Sequence, residues 1–360
     1  MVGLSGGVDS GIAAAHLKRD GWNVTALFMK NWEEDDDEVY CAAREDLAMA
    51  TQVSDALDIP LRTVNFSHEY WERVFAIFLR EYRAGRTPNP DVLCNREIKF
   101  KEFLSYAQHL GSDKIATGHY ARIQKSSSTF FLNKARDLSK DQSYFLHALG
   151  QSALAPTLFP LGELKKTDVR KEATALGLPN AERKDSTGIC FIGERRFSEF
   201  LARYLPVTPG RIQNLEGEIV GEHQGLWFYT LGQRQGLDIG GPGEPWYVAG
   251  KDMEHNVLTV IQGHDHPALM RQSVAVQEMH WINGTPKNWP LRCQAKTRYR
   301  QTDQPCTVQS NTPDRIEVVF DDLQRAPTPG QSLVLYDNER VLGGGVIDQA
   351  TSPSRAALTL

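Results

Sequence analysis

The sequence predicts an α/β fold with a doubly wound parallel sheet in its first half and small all-β units in its second. Three observations carry this reading. Strand-like and helix-like segments alternate from the N-terminus onward, a glycine-rich turn joins the first strand to the first helix, and beyond about Pro206 glycine and proline become frequent while the apolar segments shorten. A chain of 360 residues is expected to hold two or three domains of about 100–200 residues each. One boundary is placed near residue 198 and a softer one near residue 268, giving units 1–197, 198–267 and 268–360.

The elements follow in order. Val2-Gly3-Leu4 is a strand end, and only four residues precede the turn Ser5-Gly6-Gly7-Val8-Asp9-Ser10, fewer than the ~5 of an ordinary strand. Gly11 to Leu17 continues as a helix. Val24 to Met29 is a short apolar run suited to a buried strand. Leu47, Ala50, Val53, Ser54 and Leu57 recur at helical spacing and predict a helix over 45–57. Leu61 to Val64 is the next strand, and His68 to Ala84 the next helix, stopped at Gly85. Ile98, Phe103, Leu104 and Ala107 form another amphipathic stripe that ends near Gly111. Lys114 to Thr117 is a strand running into Gly118-His119-Tyr120. In the second half the short runs are Arg211-Ile212, Glu218 to Val220, Trp246 to Val248, Val257 to Ile261, Ile316 to Phe320, Ser332 to Tyr336 and Gly345 to Ile347. The last three sit at the spacing of a small all-β barrel.

Composition excludes several classes. Hydrophobic residues make up 41% and charged residues 24%, which rules out wholesale disorder. No apolar run reaches the ~18 residues of a membrane helix, and no signal-peptide pattern is visible, so a cytoplasmic location and no membrane partner are expected. The five cysteines stand at 41, 94, 190, 293 and 306 without a paired C-x-x-C, which argues against a disulfide scaffold and a four-cysteine zinc site. Cys41, Cys293 and Cys306 are read as structural. The net charge of -5 advertises no nucleic-acid partner, but two stretches are locally basic. Arg122 to Lys140 holds five basic residues and one acid, and Arg292 to Arg300 holds four basic residues and none acidic. Such patches can track phosphates, and Tyr299 beside Arg298 and Arg300 offers a stacking ring for an unstacked base. Each patch can equally be a solvated face. The acidic run from Glu33 to Glu38 is read as a solvated loop.

The turn at residues 5–10 carries the clearest chemistry. Two adjacent glycines let the backbone approach an anion closely, and their amides together with the positive end of the following helix favour phosphate. Ser5 and Ser10 add hydroxyls. Asp9 would repel a bare phosphate; it can hold Mg2+ bridging phosphates, or cap the helix. No Gly-Lys-Ser/Thr follows, so this is not a Walker A loop.

Two cysteines stand in unusual settings. Cys94 follows Gly85-Arg86-Thr87-Pro88-Asn89-Pro90-Asp91, where two prolines bracket a loop and a helix is expected to begin near Cys94 or Asn95. A thiol at a helix N-terminus has a stabilised thiolate and is reactive, although a single cysteine is more often a small core residue. Asp91, three residues earlier, is in reach to relay protons or to serve the substrate. Cys190, in Ser186-Thr187-Gly188-Ile189-Cys190-Phe191, lies between apolar residues and reads on pattern alone as a buried strand cysteine or a second reactive thiol.

These segments together resemble one family. GLSGGVDS (3–10) resembles the pyrophosphatase loop of the PP-loop ATPases, the adenine nucleotide α-hydrolase-like enzymes that cleave ATP between the α and β phosphates. With ALFMKNWEEDD (26–36), GRTPNPDVLCN (85–95), KFKEFL (99–104), ATGHYAR (116–122), KDQSYFL (140–146), STGICFIGER (186–195), YTLGQRQGL (229–237) and TRYRQ (297–301), the chain is similar over nearly its whole length to the tRNA-specific 2-thiouridylases. The resemblance implies a PP-loop domain, a small central adaptor domain and a C-terminal β-barrel. It implies ATP bound at Gly3, Leu4, Ser5, Gly6, Gly7, Val8, Asp9, Ser10, Met29 and Gly118, with Mg2+. Asn89, Pro90 and Asp91 would contact the target uridine, with Asp91 as acid/base partner. Cys94 would be the nucleophile and Cys190 the persulfide carrier. His119, Lys140, Asp141, Gln142, Tyr299, Arg300 and Gln331 would contact tRNA. The substrate implied is the wobble uridine of tRNAs for lysine, glutamate and glutamine, and the partner a sulfur-carrier protein or cysteine desulfurase. Two rivals are a PP-loop synthetase or lysidine-type enzyme, which needs no cysteine pair, and a non-catalytic tRNA-binding protein with an inert nucleotide loop.

Overall fold

A computed structural model describes residues 1–33, 42–185, 197–312 and 314–351. Cys41, most of the acidic run and the segment 186–196, which carries Cys190, lie outside the described residues. Five parallel strands make the first sheet: β1 (Val2–Gly3), β2 (Ala26–Lys30), β3 (Leu61–Asn65), β4 (Ile115–Ala116) and β7 (Thr157–Leu158), in the order β3-β2-β1-β4-β7. The order reverses between β1 and β4. In an open sheet of this kind the ligand crevice opens at the carboxyl ends of the strands flanking that reversal, which here are Leu4–Ser10 and Thr117–Tyr120.

The local reasons for the elements are ordinary. Helix Val8–Arg19 buries Ala14 against the sheet and Ile12 and Ala13 in a cluster with Val169 and Ala173 of helix Lys166–Ala175, and ends with His16, Lys18 and Arg19 in its last turn, where cations suit the dipole. Helix Ala42–Ala56 packs beside Val8–Arg19 on the same face of the sheet, burying Ala50 and Val53 in the cluster that holds Ala14. Ser67 to Arg83 is helical throughout with a π-type turn at Trp71–Phe75. It stops as expected at Gly85, whose φ of +75 suits glycine. Trp32, Phe200 and Tyr204 pack their rings edge-to-face or tilted against Tyr70, Trp71 and Phe75 of this helix, joining it to the chain beyond residue 197.

Several elements have no counterpart in the sequence reading, among them β7, helix Lys166–Ala175 and a hairpin before it. β5 (Ala121–Ser126) and β6 (Thr129–Lys134) form a hairpin inside the basic stretch. Its turn uses Ser127 at φ +55, where the residues expected in such a turn are Asn-Gly or Asp-Gly, so the usual signal is missing. Downstream, β8 (Gly210–Gln213), β9 (Ile219–His223), β10 (Trp246–Asp252) and β11 (Val257–Gln262) form a four-stranded sheet. Then β12 (Met270–Trp281), β13 (Leu291–Lys296), β14 (Gln304–Thr312), β15 (Arg315–Arg325), β16 (Ser332–Asp337) and β17 (Arg340–Thr351) close into a six-stranded barrel, because β12 pairs with both β15 and β17. The barrel is filled by Val274, Val276, Val308, Ile316, Val318, Phe320 and Leu335. Cys293 and Cys306 face each other across β13 and β14, buried, with sulfurs 3.8 Å apart.

The hairpin ties the two ends of the chain together. β6 meets β17 at Asn133 and Arg340, and the Lys134 amide donates to the Glu339 carbonyl at 2.8 Å. Nearby, the Tyr144 hydroxyl donates to the Ser332 carbonyl at 2.7 Å, and the His147 Nδ1–H to the Tyr144 carbonyl at 2.8 Å. Burial pushes His147 down to about 4 from 6.5, and this outweighs the bond to Tyr144, which acts the other way. The unfolded chain therefore binds a proton that the folded chain refuses, and stability falls as pH drops below the unfolded value. Between pH 7 and pH 5 this residue alone costs about 2 kcal/mol. Melting curves across that range should show the loss in the wild type and a smaller one in His147→Asn, whose amide still donates to Tyr144. Equal slopes would contradict it.

Candidate active site

The phosphate loop lies where the sheet reversal places it. Gly7 caps helix Val8–Arg19 in extended conformation. Ser10 knits the loop: its hydroxyl accepts the Ser5 amide at 3.2 Å and donates to the Gly7 carbonyl at 3.0 Å, while the Ser5 and Ser10 hydroxyls lie 3.3 Å apart. Gly6 has φ +78, and a Cβ there would stand 2.7 Å from the Asp46 carbonyl oxygen. Its own carbonyl accepts Asn180 Nδ2 at 3.1 Å and Arg183 Nη1 at 3.3 Å. Gly118, on the facing strand end, has a steric reason of its own. A Cβ there would meet the Asp9 carbonyl carbon at 2.7 Å and the Ser10 amide nitrogen at 2.8 Å. Met29, the next-to-last residue of β2, is half-buried, with its Cε 3.3 Å from where a Gly3 Cβ would stand. Met29 thus stands beside Gly3, and Gly118 against Asp9 and Ser10, at the carboxyl ends of β1, β2 and β4.

Asp9 does not cap the helix. Both its oxygens take the Lys166 ammonium, at 2.7 and 2.8 Å, and one also accepts the Tyr120 hydroxyl at 2.8 Å. Lys166 is buried and reaches on to Asp185 at 2.7 Å. Asp185 takes Arg170 at 2.6 Å and Lys140 at 2.9 Å as well. Burial tends to raise the Asp185 carboxyl, but the hydrogen bonds from Lys166 and Lys140 prevail and hold it well below the usual carboxylate range. Sequence reasoning missed Tyr120, Lys166 and Asp185 as parts of this site. Lys166 left one legible sign, because it is the first residue of helix Lys166–Ala175, where the dipole disfavours a cation. As for magnesium, Asp9 is the single carboxylate on the loop, and among the described residues no three His, Cys, Asp or Glu side chains converge as a metal cage. This donor set fits Mg2+ carried in on phosphates, with Asp9 as its protein carboxylate.

The cysteine loop corrects one expectation. The helix begins at Pro90, with the Asn89 side chain accepting the Asp91 amide at 3.1 Å as its cap, and runs on to His109. Cys94 therefore sits a full turn inside, where the dipole has largely faded, and Asp91 occupies the first turn instead. The reason is the proline: Pro90 takes the first helical position, where its missing N–H costs nothing. Cys94 is 1% exposed, packed in the cluster of Ile98, Phe100 and Phe103, and opens a π-type stretch, Cys94–Glu102. Such stretches are frequent at functional sites. Next to it, Asn95 Nδ2 donates to the Phe145 carbonyl at 3.1 Å. The Phe145 ring lies 4.4 Å from that of Tyr299, which is half-buried and feels the Asp91 charge. Arg300 lies 6.0 Å from the Tyr299 ring centre. Gln331 Nε2 donates to the Thr87 carbonyl at 2.7 Å, and the Thr87 amide to the Pro329 carbonyl at 2.9 Å, so the barrel holds the loop that leads to Cys94.

The Lys140-Asp141-Gln142 turn joins both halves of the site. Gln142 exchanges hydrogen bonds with the Tyr120 backbone, at 3.0 and 2.8 Å, behind the hydroxyl that holds Asp9. Asp141 is buried and accepts the Ala135 amide and the Ser143 hydroxyl, at 2.9 and 2.8 Å. His119 is 9% exposed, shares a 2.6 Å hydrogen bond with Thr117 and packs between Phe100 and Phe159. Burial, with Lys99 nearby, holds it neutral, well below the ordinary histidine range. The basic stretches are less basic than their composition. Arg122 pairs with Glu163 and Glu339, Lys134 and Lys296 with Asp303, and Arg292 with Asp321. Arg298 donates to the Leu231 and Ala326 carbonyls.

A glycine loop at the reversal of a parallel sheet, opposite a glycine on which it rests, defines a PP-loop nucleotide-binding protein. Three family models match along the chain: a tRNA methyl transferase HUP domain over residues 1–194, a tRNA methyl transferase PRC-barrel domain over 198–262 and an aminomethyltransferase β-barrel domain over 271–347. A tRNA-specific 2-thiouridylase MnmA of Nitrosomonas eutropha is 58% identical over 351 residues, covering 96% of this chain and 97% of that protein. Its Escherichia coli K12 counterpart is 57% identical over 354 residues, covering 97% and 96%. A 4-thiouridine synthetase–RNA complex with bound ATP aligns at 17% identity and a TM-score of 0.34 over 53% of this chain and 44% of that one, too distant a likeness to bear on chemistry. The chain belongs to the tRNA-specific 2-thiouridylase family.

Proposed function

We propose that this protein is an ATP-dependent tRNA-uridine 2-sulfurtransferase acting in the cytoplasm on the wobble uridine of tRNAs for lysine, glutamate and glutamine. The observation that carries the reading is the pairing of two sites across one short stretch of chain. The Ser5–Ser10 loop and the Cys94 helix are linked through Tyr120, Gln142 and the turn that ends at Phe145. The phosphate loop favours adenylation over the methyl transfer named in the family models, which calls for no pyrophosphate site. In this reading residues 1–197 hold the chemistry, and the units 198–267 and 268–360 brace and position the tRNA.

The uridine leaves its stack, at a cost of a few kcal/mol that is least for a loop nucleotide. Asn89, Pro90 and Asp91 receive it, and the exposed part of the Tyr299 ring stacks on it, with Arg300 beside a phosphate. His119, Lys140, Asp141, Gln142 and Gln331 complete the tRNA-facing set; of these, the buried His119 and Asp141 act by shaping the surface. The uridine C2 oxygen attacks the α-phosphate of ATP and expels pyrophosphate, with the loop amides stabilising the charge that develops. Mg2+ on the phosphates would add to that stabilisation, with Asp9 as its carboxylate. A persulfide on Cys190, loaded by a sulfur-carrier protein or cysteine desulfurase, gives its outer sulfur to C2 as AMP departs, and Cys94 closes a disulfide with Cys190. Whichever sulfur step comes first, one sulfane sulfur reaches C2, one AMP leaves, and an external thiol must reduce the disulfide.

Nucleoside mass spectrometry of unmodified glutamate tRNA, incubated with the protein, Mg-ATP and a persulfide donor, tests this: an ATP-dependent 2-thiouridine is expected. ATP cleaved to AMP without that nucleoside would favour another PP-loop substrate. Tyr299→Ala should weaken tRNA binding by about tenfold, the worth of one stacked base, with ATP affinity unchanged. Unchanged tRNA affinity would reject the stacking role.

A further inference from the structure

The phosphate loop raises a charge problem. It must hold a polyanion, yet its own side chains supply no cation and one anion, Asp9. Among the described residues, the hydrogen bond that Arg183 makes to the loop goes to the Gly6 carbonyl. In a trans peptide that carbonyl points away from the following Gly7 amide, so Arg183 lies on the side opposite that donor. The cation that contacts the loop's own side chains is Lys166, brought from 157 residues downstream.

Its placement carries costs that fold stability does not explain. The ammonium is almost wholly buried, and it stands at the first position of a helix, against the dipole. It is also the one partner that both carboxylates can release. Asp9 keeps the Tyr120 hydroxyl at 2.8 Å, and Asp185 keeps Arg170 at 2.6 Å and Lys140 at 2.9 Å. A lysine on a flexible four-carbon stem is a mobile point charge of the kind that binds phosphate. We propose that Lys166 is the cation of the phosphate site: seated between Asp9 and Asp185, it transfers to the pyrophosphate portion of ATP and leaves Asp9 facing the nucleotide. The inference deepens the reading above and rests on its ATP site. It makes Lys166 a substrate-contacting residue supplied by a distant helix, in place of the lysine that a Walker A loop carries within itself.

The test is equilibrium binding of ATP, inorganic pyrophosphate and AMP at fixed ionic strength and magnesium. Lys166→Met should weaken ATP and pyrophosphate by about tenfold or more, as expected for one lost charge-assisted contact, and leave AMP nearly unchanged. Equal weakening of all three would make Lys166 a prop for the loop's shape and overturn the proposal, as would unchanged ATP affinity. Asp185→Asn removes a competitor for the ammonium. It should tighten ATP binding when Lys166 is present and not in the Lys166→Met background. If Lys166→Met fails to fold, Asp185→Asn alone decides, and unchanged or weaker ATP binding counts against the proposal. The two readings fail separately. Lysine-dependent ATP binding without 2-thiouridine sinks only the proposed reaction, and 2-thiouridine formation with normal ATP binding by Lys166→Met sinks only the role of Lys166.

Discussion

Cys94→Ser is expected to lower tRNA thiolation by about 10³-fold or more, the scale of losing a nucleophile, while pyrophosphate release on mixing with tRNA and ATP persists. The thiol is 1% exposed and packed against Ile98, Phe100 and Phe103, so the substitution also places a hydroxyl among apolar side chains. That costs about 1–3 kcal/mol, a fraction of the 5–15 kcal/mol that holds a typical protein folded. The variant should melt a few degrees lower and remain native. Cys94→Ala removes the thiol without the buried hydroxyl, so it separates the two effects: equal loss of thiolation in both, with a milder loss of stability in the alanine variant, assigns the effect to sulfur chemistry. Cys190→Ser should give the same split between adenylation and sulfur transfer. Thiolation at the normal rate by Cys94→Ala would remove that residue from the mechanism.

What the sequence shows well is what local rules govern. The strand, glycine turn and helix at residues 2–19, the strand end at Gly118 and the stop at Gly85 each depend on residues a few positions apart, and each lies where the pattern puts it. The helix at Pro90 starts one turn before the pattern puts it, for an equally local reason. Asn89-Pro90 is a cap followed by a first-turn proline, but with a second proline, Pro88, before it the segment looks like a loop. The partners of charge lie beyond local reading. Lys166 and Asp9 are 157 residues apart, and Lys134 and Asp303 are 169 apart. A count of basic residues in one stretch cannot see carboxylates delivered by another, so Arg122–Lys140 and Arg292–Arg300 looked more open to phosphate than the folded chain leaves them. The β5–β6 hairpin escaped for a similar reason, since the barrel edge that receives it comes some two hundred residues later.

The second large effect is expected at Gly118, which the family resemblance implies to be a nucleotide contact. Its geometry makes it a spacer. The chain after β4 rests directly on the loop backbone, and any Cβ would fall 2.7–3.0 Å from three backbone atoms of Asp9 and Ser10. Backbone cannot swing aside as a side chain does, so Gly118→Ala must push the loop away or shift β4, at a strain of about 1–3 kcal/mol. The loop amides work by position, and a displacement near 1 Å is enough to cost about 10²-fold in rate. ATP-dependent pyrophosphate release should fall on that scale, with the melting temperature only modestly lowered. Gly240→Ala is the matched control, because a Cβ there meets nothing within 4 Å. If Gly118→Ala binds and cleaves ATP like the wild type, the loop is not held from this side. The rigidity ascribed to the crevice would then have to come from Ser10 and the Asp9–Lys166 pair alone.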